Sequence, residues 1–300
     1  MKRLLWILIL CCVFLTAGTV GGWADAVRVI SYGADITEAQ REKVYQIFGL
    51  KESEKPNISV TEVTIKEEKE YLEGIAGPAQ IGSKAISCAY VEMLGSGEGI
   101  KVQTHNITWV TPEMYANALV TAGVTDARAI AAAPFPVTGT AALTGMIKAF
   151  ETASGKELSK KAKDIAHEEI IRTGEIAETI DNEDKAADLI VRVKEEVIRR
   201  NLSDPEQIRE VVINISNQLN IKLPEAQIDQ LVSLMKKING LQLNASQITD
   251  QLKNIKSKLD NLAARGDEVK GIIQRLIDFF AKVIAGIQSL FGKLDLRFTC

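Results

Sequence analysis

Ala127-Arg128-Ala129-Ile130-Ala131-Ala132-Ala133, closed by Pro134 and Pro136 and followed by Thr138-Gly139-Thr140, is the stretch that decides the fold. A run of small residues bounded by prolines reads as a strand that ends there, since proline cannot continue a ladder in mid-sheet. The Thr138-Gly139-Thr140 turn then opens a helix to about Phe150, with small residues that let its first turn press on the strand end. A strand feeding directly into a helix is the repeating unit of mixed α/β architecture.

Working back toward the N-terminus, other strands and helices alternate. Residues 27–32 form a strand closed by Gly33. Thr37-Glu38-Ala39-Gln40 is a capping box that opens a helix to about Phe48. Residues 58–65 alternate as a strand, and 66–72 form a short charged helix. Residues 81–94 and 100–109 read as two strands of a hairpin joined by Gly95-Ser96-Gly97-Glu98-Gly99. Thr111-Pro112-Glu113 supplies an N-cap, a proline at the first helical position and an acid in the first turn.

Beyond Gly155 the strand signals stop. Residues 156–200 are charged and helical, with breaks expected near Gly174 and at Asp181-Asn182. Helix starts follow at Ser203-Asp204-Pro205-Glu206, at Leu223-Pro224-Glu225 and at Leu243-Asn244-Ala245-Ser246, and the last two begin similar units of about twenty residues. Ile248, Leu252, Ile255, Leu259 and Leu262 keep the 4-3-4-3 spacing of a packing seam. The expected fold is therefore an α+β or mixed α/β domain over 27–155, then an all-helical region over 156–265, then an amphipathic helix and tail over 266–300. On the last helix Ile272, Leu276, Phe279, Phe280, Val283, Ile287, Leu290 and Phe291 share one apolar face. That face either closes a bundle or docks on a membrane surface or partner.

The N-terminus sets the compartment. Met1-Lys2-Arg3, an apolar run from Leu4 to about Ala17, and small residues around Ala24-Asp25-Ala26 have the plan of a secretory signal peptide, cut after Ala24 or Ala26. The run is shorter than the ~20 residues of a spanning helix. Leu10 before Cys11 is too large for a lipoprotein site. Cleavage after Ala26 takes the formal charge from −3 to −4 by removing Lys2, Arg3 and Asp25. A mildly acidic surface without a basic cluster excludes a typical nucleic-acid binder. Cys88 and Cys300 are then the only thiols, too few for a disulfide framework.

Motifs for chemistry are sparse. His105 lies in a strand, and His167 precedes Glu168-Glu169 without the second histidine of a zinc helix, so no metal or cofactor is expected. Gly139-Thr140-Ala141-Ala142-Leu143-Thr144-Gly145-Met146-Ile147-Lys148 departs from a phosphate loop because Met146 and Ile147 separate glycine from lysine. Backbone N–H groups at that helix start still allow a weaker anion site. Glu67, Glu68, Glu70, Glu73, Glu92 and Glu98 lie near the sheet, where two facing carboxylates would serve hydrolysis of a wall polymer. The preferred expectation is a non-enzymatic binding protein that offers the 95–99 loop, Asn106, Thr108 and Trp109, and Thr138, Gly139 and Thr140. Self-association would run through its helices.

Several strings carry a resemblance: Tyr32-Gly33-Ala34-Asp35-Ile36-Thr37, Asn106-Ile107-Thr108-Trp109-Val110-Thr111, Tyr115-Ala116-Asn117-Ala118-Leu119-Val120-Thr121-Ala122-Gly123-Val124 and the segment from Ala133 to Gly145. Together the chain resembles the YpuA-like secreted proteins of Gram-positive, spore-forming bacteria. The resemblance is specific over 106–148 and looser after Gly155. It implies a secreted or envelope-associated protein and brings no catalytic residues.

Overall fold

The computed structural model describes residues 27–261 apart from 245 and 247. The sheet has five strands: β1 (Arg28–Gly33), β2 (Ser59–Val63), β3 (Cys88–Met93), β4 (Ile100–Ile107) and β5 (Ala127–Val137). Their order is β2-β1-β3-β5-β4. β1 and β2 are parallel, as are β4 and β5, while β3 runs antiparallel to both β1 and β5. Four strands therefore end on the same edge, and β3 begins there.

Two expectations are corrected here. β3 and β4 do not form a hairpin, because β5 lies between them. The alanines of β5 are buried on both faces, which suits the interior of the sheet, whereas Lys101, Gln103 and His105 of β4 are exposed, which suits an edge. The β4–β5 pair is parallel and so needs a crossover helix; that helix is α4 (Pro112–Ala122), capped by Thr111 with Pro112 in its first turn. The strand expected from residue 81 begins only at Cys88, because Pro78–Ile81 (α3) is helical and Gly82 turns the chain.

The capping box at Thr37 opens α1 (Glu38–Ile47), which covers one sheet face with Val44, Tyr45 and Phe48. α2 (Ile65–Leu72) has a second capping box, Thr64 with Glu67. α4 and α5 (Thr140–Ser154) cover the other face. β5 runs on through both prolines to Val137. Its partner β3 is spent by Ala132, so Pro134 and Pro136 interrupt no ladder on that side. On the other side Asn106, with φ +58°, makes a bulge in β4, and its Nδ2 donates to Ala133 O at 2.8 Å.

The helical region comprises α6 (Lys160–Ile180), α7 (Glu183–Arg199), α8 (Pro205–Gln218), α9 (Glu225–Asn239) and helical residues 248–261. The break at Asp181-Asn182 is present, but α6 passes through Gly174 uninterrupted. Gly174 serves close approach: a Cβ there would lie 2.1 Å from Cζ2 of Trp109. Trp109 Nε1 also donates to Glu178 at 2.7 Å, so the loop after β4 is clamped to α6. Ile248, Leu252, Ile255 and Leu259 are all buried, as the seam spacing requires; Leu262 lies outside the described residues. A single apolar cluster extends from Val29 of β1 through α4 and α6 to Leu259. Inside it Lys194 of α7 is fully buried, with Nζ donating to Glu169 Oε1 (2.6 Å), Thr121 Oγ1 (2.7 Å), Asn117 Oδ1 (2.7 Å) and Asn117 O (3.0 Å).

Candidate functional site

The loops leaving the common edge of β1 and β5, with the segment entering β3, line a cleft of about 430 Å³. Its volume is in the range of small-molecule sites, and the carboxyl ends of parallel strands are where open α/β sheets bind ligands. Asp35 and Thr37 follow β1, Ser83, Lys84 and Ser87 precede β3, and Phe135 through Ala141 follow from β5 into α5. Glu68 reaches the same cleft from α2.

Glu68 is the unusual member. Ile65, Glu68 and Leu72 share the inward face of α2 at helical spacing, so the carboxyl is carried into an apolar position and is only 1% exposed. Burial pushes it up to about 7, and the bond to Thr140 offsets this only in part. Thr140 Oγ1 lies 2.5 Å from Glu68 Oε1 and 3.0 Å from Gln80 O. A carbonyl only accepts and a hydroxyl has one proton. Both contacts are therefore satisfied together when Thr140 donates to Gln80 O and a protonated Glu68 donates to Thr140. Glu68 Oε2 then remains a buried acceptor with no hydrogen-bond partner among the described residues.

The surroundings hold this arrangement rigidly. Gly139 adopts φ +101° and caps α5 without a side-chain bond. A Cβ there would meet Tyr115 Oη and Ile107 Cγ2 at 2.5 Å, so the position requires glycine for two reasons. Tyr115 is fully buried on α4, and its hydroxyl donates to Gly139 O at 2.5 Å. Asp35 Oδ2 accepts from Ala85 N at 2.8 Å and pins the loop before β3.

The residues singled out from sequence divide between two places. Thr138, Gly139 and Thr140 line the cleft. Asn106, Thr108 and Trp109 are occupied in bonds to Ala133 O, Val137 O and Glu178, and they hold the β5 extension and α6 in place. Thr138 Oγ1 likewise donates to Gln80 O at 3.1 Å. Glu68 was one of the carboxylates near the sheet, and its place on the apolar stripe of α2 is the signal that separates it from its neighbours. Asp35 and Phe135 had no such signal. Lys148 does not serve the start of α5: its ammonium donates at 2.5 Å to Glu62 O and to Glu67 Oε1, two turns along that helix. The docking face at Ile272–Phe291 lies outside the described residues, and so does Cys300.

His167 is a packing residue. Its ring stacks on Tyr71 at 4.3 Å, Nδ1 donates to Lys163 O at 2.7 Å, and Nε2 accepts from Thr144 Oγ1 at 2.8 Å. Burial pushes its pKa down to about 4, so the ring is neutral. Cys88 is a buried free thiol that burial pushes up to about 12. Among the described residues no cluster of His, Cys, Asp or Glu has the makings of a metal site, and no helix is long and apolar enough to cross a membrane.

The architecture defines a mixed α/β protein: a five-stranded sheet, a cleft at its carboxyl edge and a helical region sharing its core. The chain belongs to the family described as "Protein of unknown function (DUF1002)", whose profile matches residues 32–255. It is 41% identical over 264 residues to "Uncharacterized protein YpuA" of Bacillus subtilis (strain 168), covering 88% of this chain and 89% of the relative. No solved structure matches it.

Proposed function

We propose that this chain is exported and that the cleft at the carboxyl edge of its sheet holds a small polar ligand from the cell envelope. The leader-like residues 1–26 support export. The observation that carries the binding reading is Glu68, a buried carboxyl in the lining of the cleft, one oxygen of which has no hydrogen-bond partner among the described residues. Folded proteins rarely leave such atoms unpaired, because an unmade hydrogen bond costs roughly 1–3 kcal/mol, and a ligand donor relieves that cost. A second reading, hydrolysis of a wall polymer, draws on the same carboxyl, which holds its proton near neutral pH as a general acid must. Binding is favoured because Asp35, the other carboxylate of the cleft, is engaged with Ala85 N–H.

Saturation-transfer NMR with soluble fragments of digested cell wall tests this. Transfer to wild type and its loss in Ser83→Trp, which places an indole in the cleft from an exposed position, support binding. No transfer, or equal transfer to both, overturns it. New reducing ends that appear with wild type and not with Glu68→Gln move the assignment to hydrolysis. Export and retention are tested by fractionating the host with and without residues 1–26, and with and without 267–300. If the second deletion leaves the distribution unchanged, the apolar face at 272–291 has no part in retention.

A further inference from the structure

We infer that the ligand of this cleft is a sugar residue, laid against Phe135 with one ring hydroxyl donating to Glu68 Oε2; this rests on the binding reading above. Phe135 is 44% exposed, one of few large apolar side chains that the described surface leaves open, and it lines the cleft. Proline on either side fixes the backbone, and Lys43 Nζ, donating to Pro134 O at 2.6 Å, ties the segment to α1. The ring is therefore an apolar platform on a restrained backbone beside a polar wall, which matches the two sides of a sugar: a face of C–H groups and an edge of hydroxyls.

Charge gives the other simple ligands mixed partners. An anion at the start of α5 would meet the first N–H groups of the helix, which have no intrahelical partner, and the Lys84 ammonium, but also the Asp35 carboxylate. A cation drawn to Asp35 would face Lys84 and the positive end of the same helix. The cleft thus sets acceptors and donors of both signs side by side. Hydroxyl groups, each able to donate and accept, suit that pattern. The unpaired Oε2 adds the demand for at least one donor.

The test is ligand-observed NMR titration of the purified chain with N-acetylglucosamine and with glucose, using inorganic phosphate and ethylamine as charged probes. Binding of at least one sugar in the millimolar range or tighter is expected, with neither charged probe competing. Phe135→Ala, an exposed substitution that leaves the core intact, should weaken it about tenfold, and Glu68→Met, which keeps the bulk without an acceptor, by a similar factor. Glu68→Gln, whose amide oxygen takes the place of Oε2 while its N–H donates to Thr140, should bind within about threefold of wild type. Equal sugar affinity in wild type and Phe135→Ala overturns the proposal. If wall fragments bind and Ser83→Trp blocks them while neither sugar binds, the ligand class is wrong and the binding reading survives. If neither fragments nor sugars bind, both fail.

Discussion

Lys194→Met should be among the most damaging single changes in the helical region. The ammonium is enclosed by α4, α6 and α7, with Glu169, Thr121 and Asn117 accepting from it. Thr121 Oγ1 also donates to Glu169 Oε2 at 2.5 Å, so both carboxylate oxygens are engaged. Burial raises the Glu169 pKa and lowers that of Lys194, with the pair's own attraction opposing each shift. Methionine fills the same space but leaves Glu169 with Thr121 as its one partner and strands Asn117 Oδ1. Breaking a buried pair from one side costs about 3–5 kcal/mol, a large share of the roughly 5–15 kcal/mol that holds a domain together. Replacing both partners, as in Lys194→Met with Glu169→Leu, removes the orphaned charge and should restore at least about 2 kcal/mol relative to the single variant. Urea unfolding followed by circular dichroism, with a double-mutant cycle, reads both quantities. A single variant within 1 kcal/mol of wild type, or a cycle without coupling, would refute the reasoning.

Gly174→Ala places a methyl group in the Trp109 ring, and the overpacking penalty of about 1–3 kcal/mol should exceed the roughly 1 kcal/mol that alanine gains in a helix. Trp109 is the one tryptophan beyond residue 26, so a red shift of its fluorescence in a chain lacking the leader reports displacement directly. Glu68 and His167 should give opposite pH slopes. Glu68 holds its proton more tightly when folded, with a pKa near 7 against 4.5, so its contribution falls by about 3 kcal/mol as pH rises through that window. His167, near 4 when folded against 6.5, binds its proton less tightly, so its contribution is lost by about 3 kcal/mol as pH falls through that window. Relative to wild type, Glu68→Gln should therefore gain stability with rising pH between about 4.5 and 7. His167→Gln should lose it between about 4 and 6.5, and urea midpoints across pH 4–8 show whether the signs are as stated. Gly139→Ala should destabilise by about 1–3 kcal/mol, since φ is positive and Tyr115 leaves no room.

Local signals served the fold well. The capping box at Thr37, the Thr111-Pro112 start and the 248–259 seam are short-range patterns, and each lies where its residues place it. Long-range pairing was the weak point. Gly95–Gly99 has the composition of a hairpin turn, but the burial demand of the alanine strand puts β5 between the strands it joins. Gly174 departs from its expected break for a related reason: glycine in a helix signals either a break or a close neighbour, and the neighbour, Trp109, is 65 residues away in sequence. Thr138–Thr140 reached the cleft because a strand-to-helix turn sits at the carboxyl edge of any such sheet. Glu68 differs from five other glutamates only by sharing the stripe of Ile65 and Leu72, and its missing partner becomes visible only when Thr140 and Gln80 are brought beside it.

Glu68, protonated in the lining of the cleft with one oxygen unpaired among the described residues, is the centre of the proposed site. A carbon-13 titration of its side-chain carboxyl in the purified chain, assigned by comparison with Glu68→Gln, measures this directly. A midpoint near 7 that shifts when a sugar binds is the predicted result. A midpoint in the ordinary carboxylate range near 4.5, unmoved by any ligand, would contradict it.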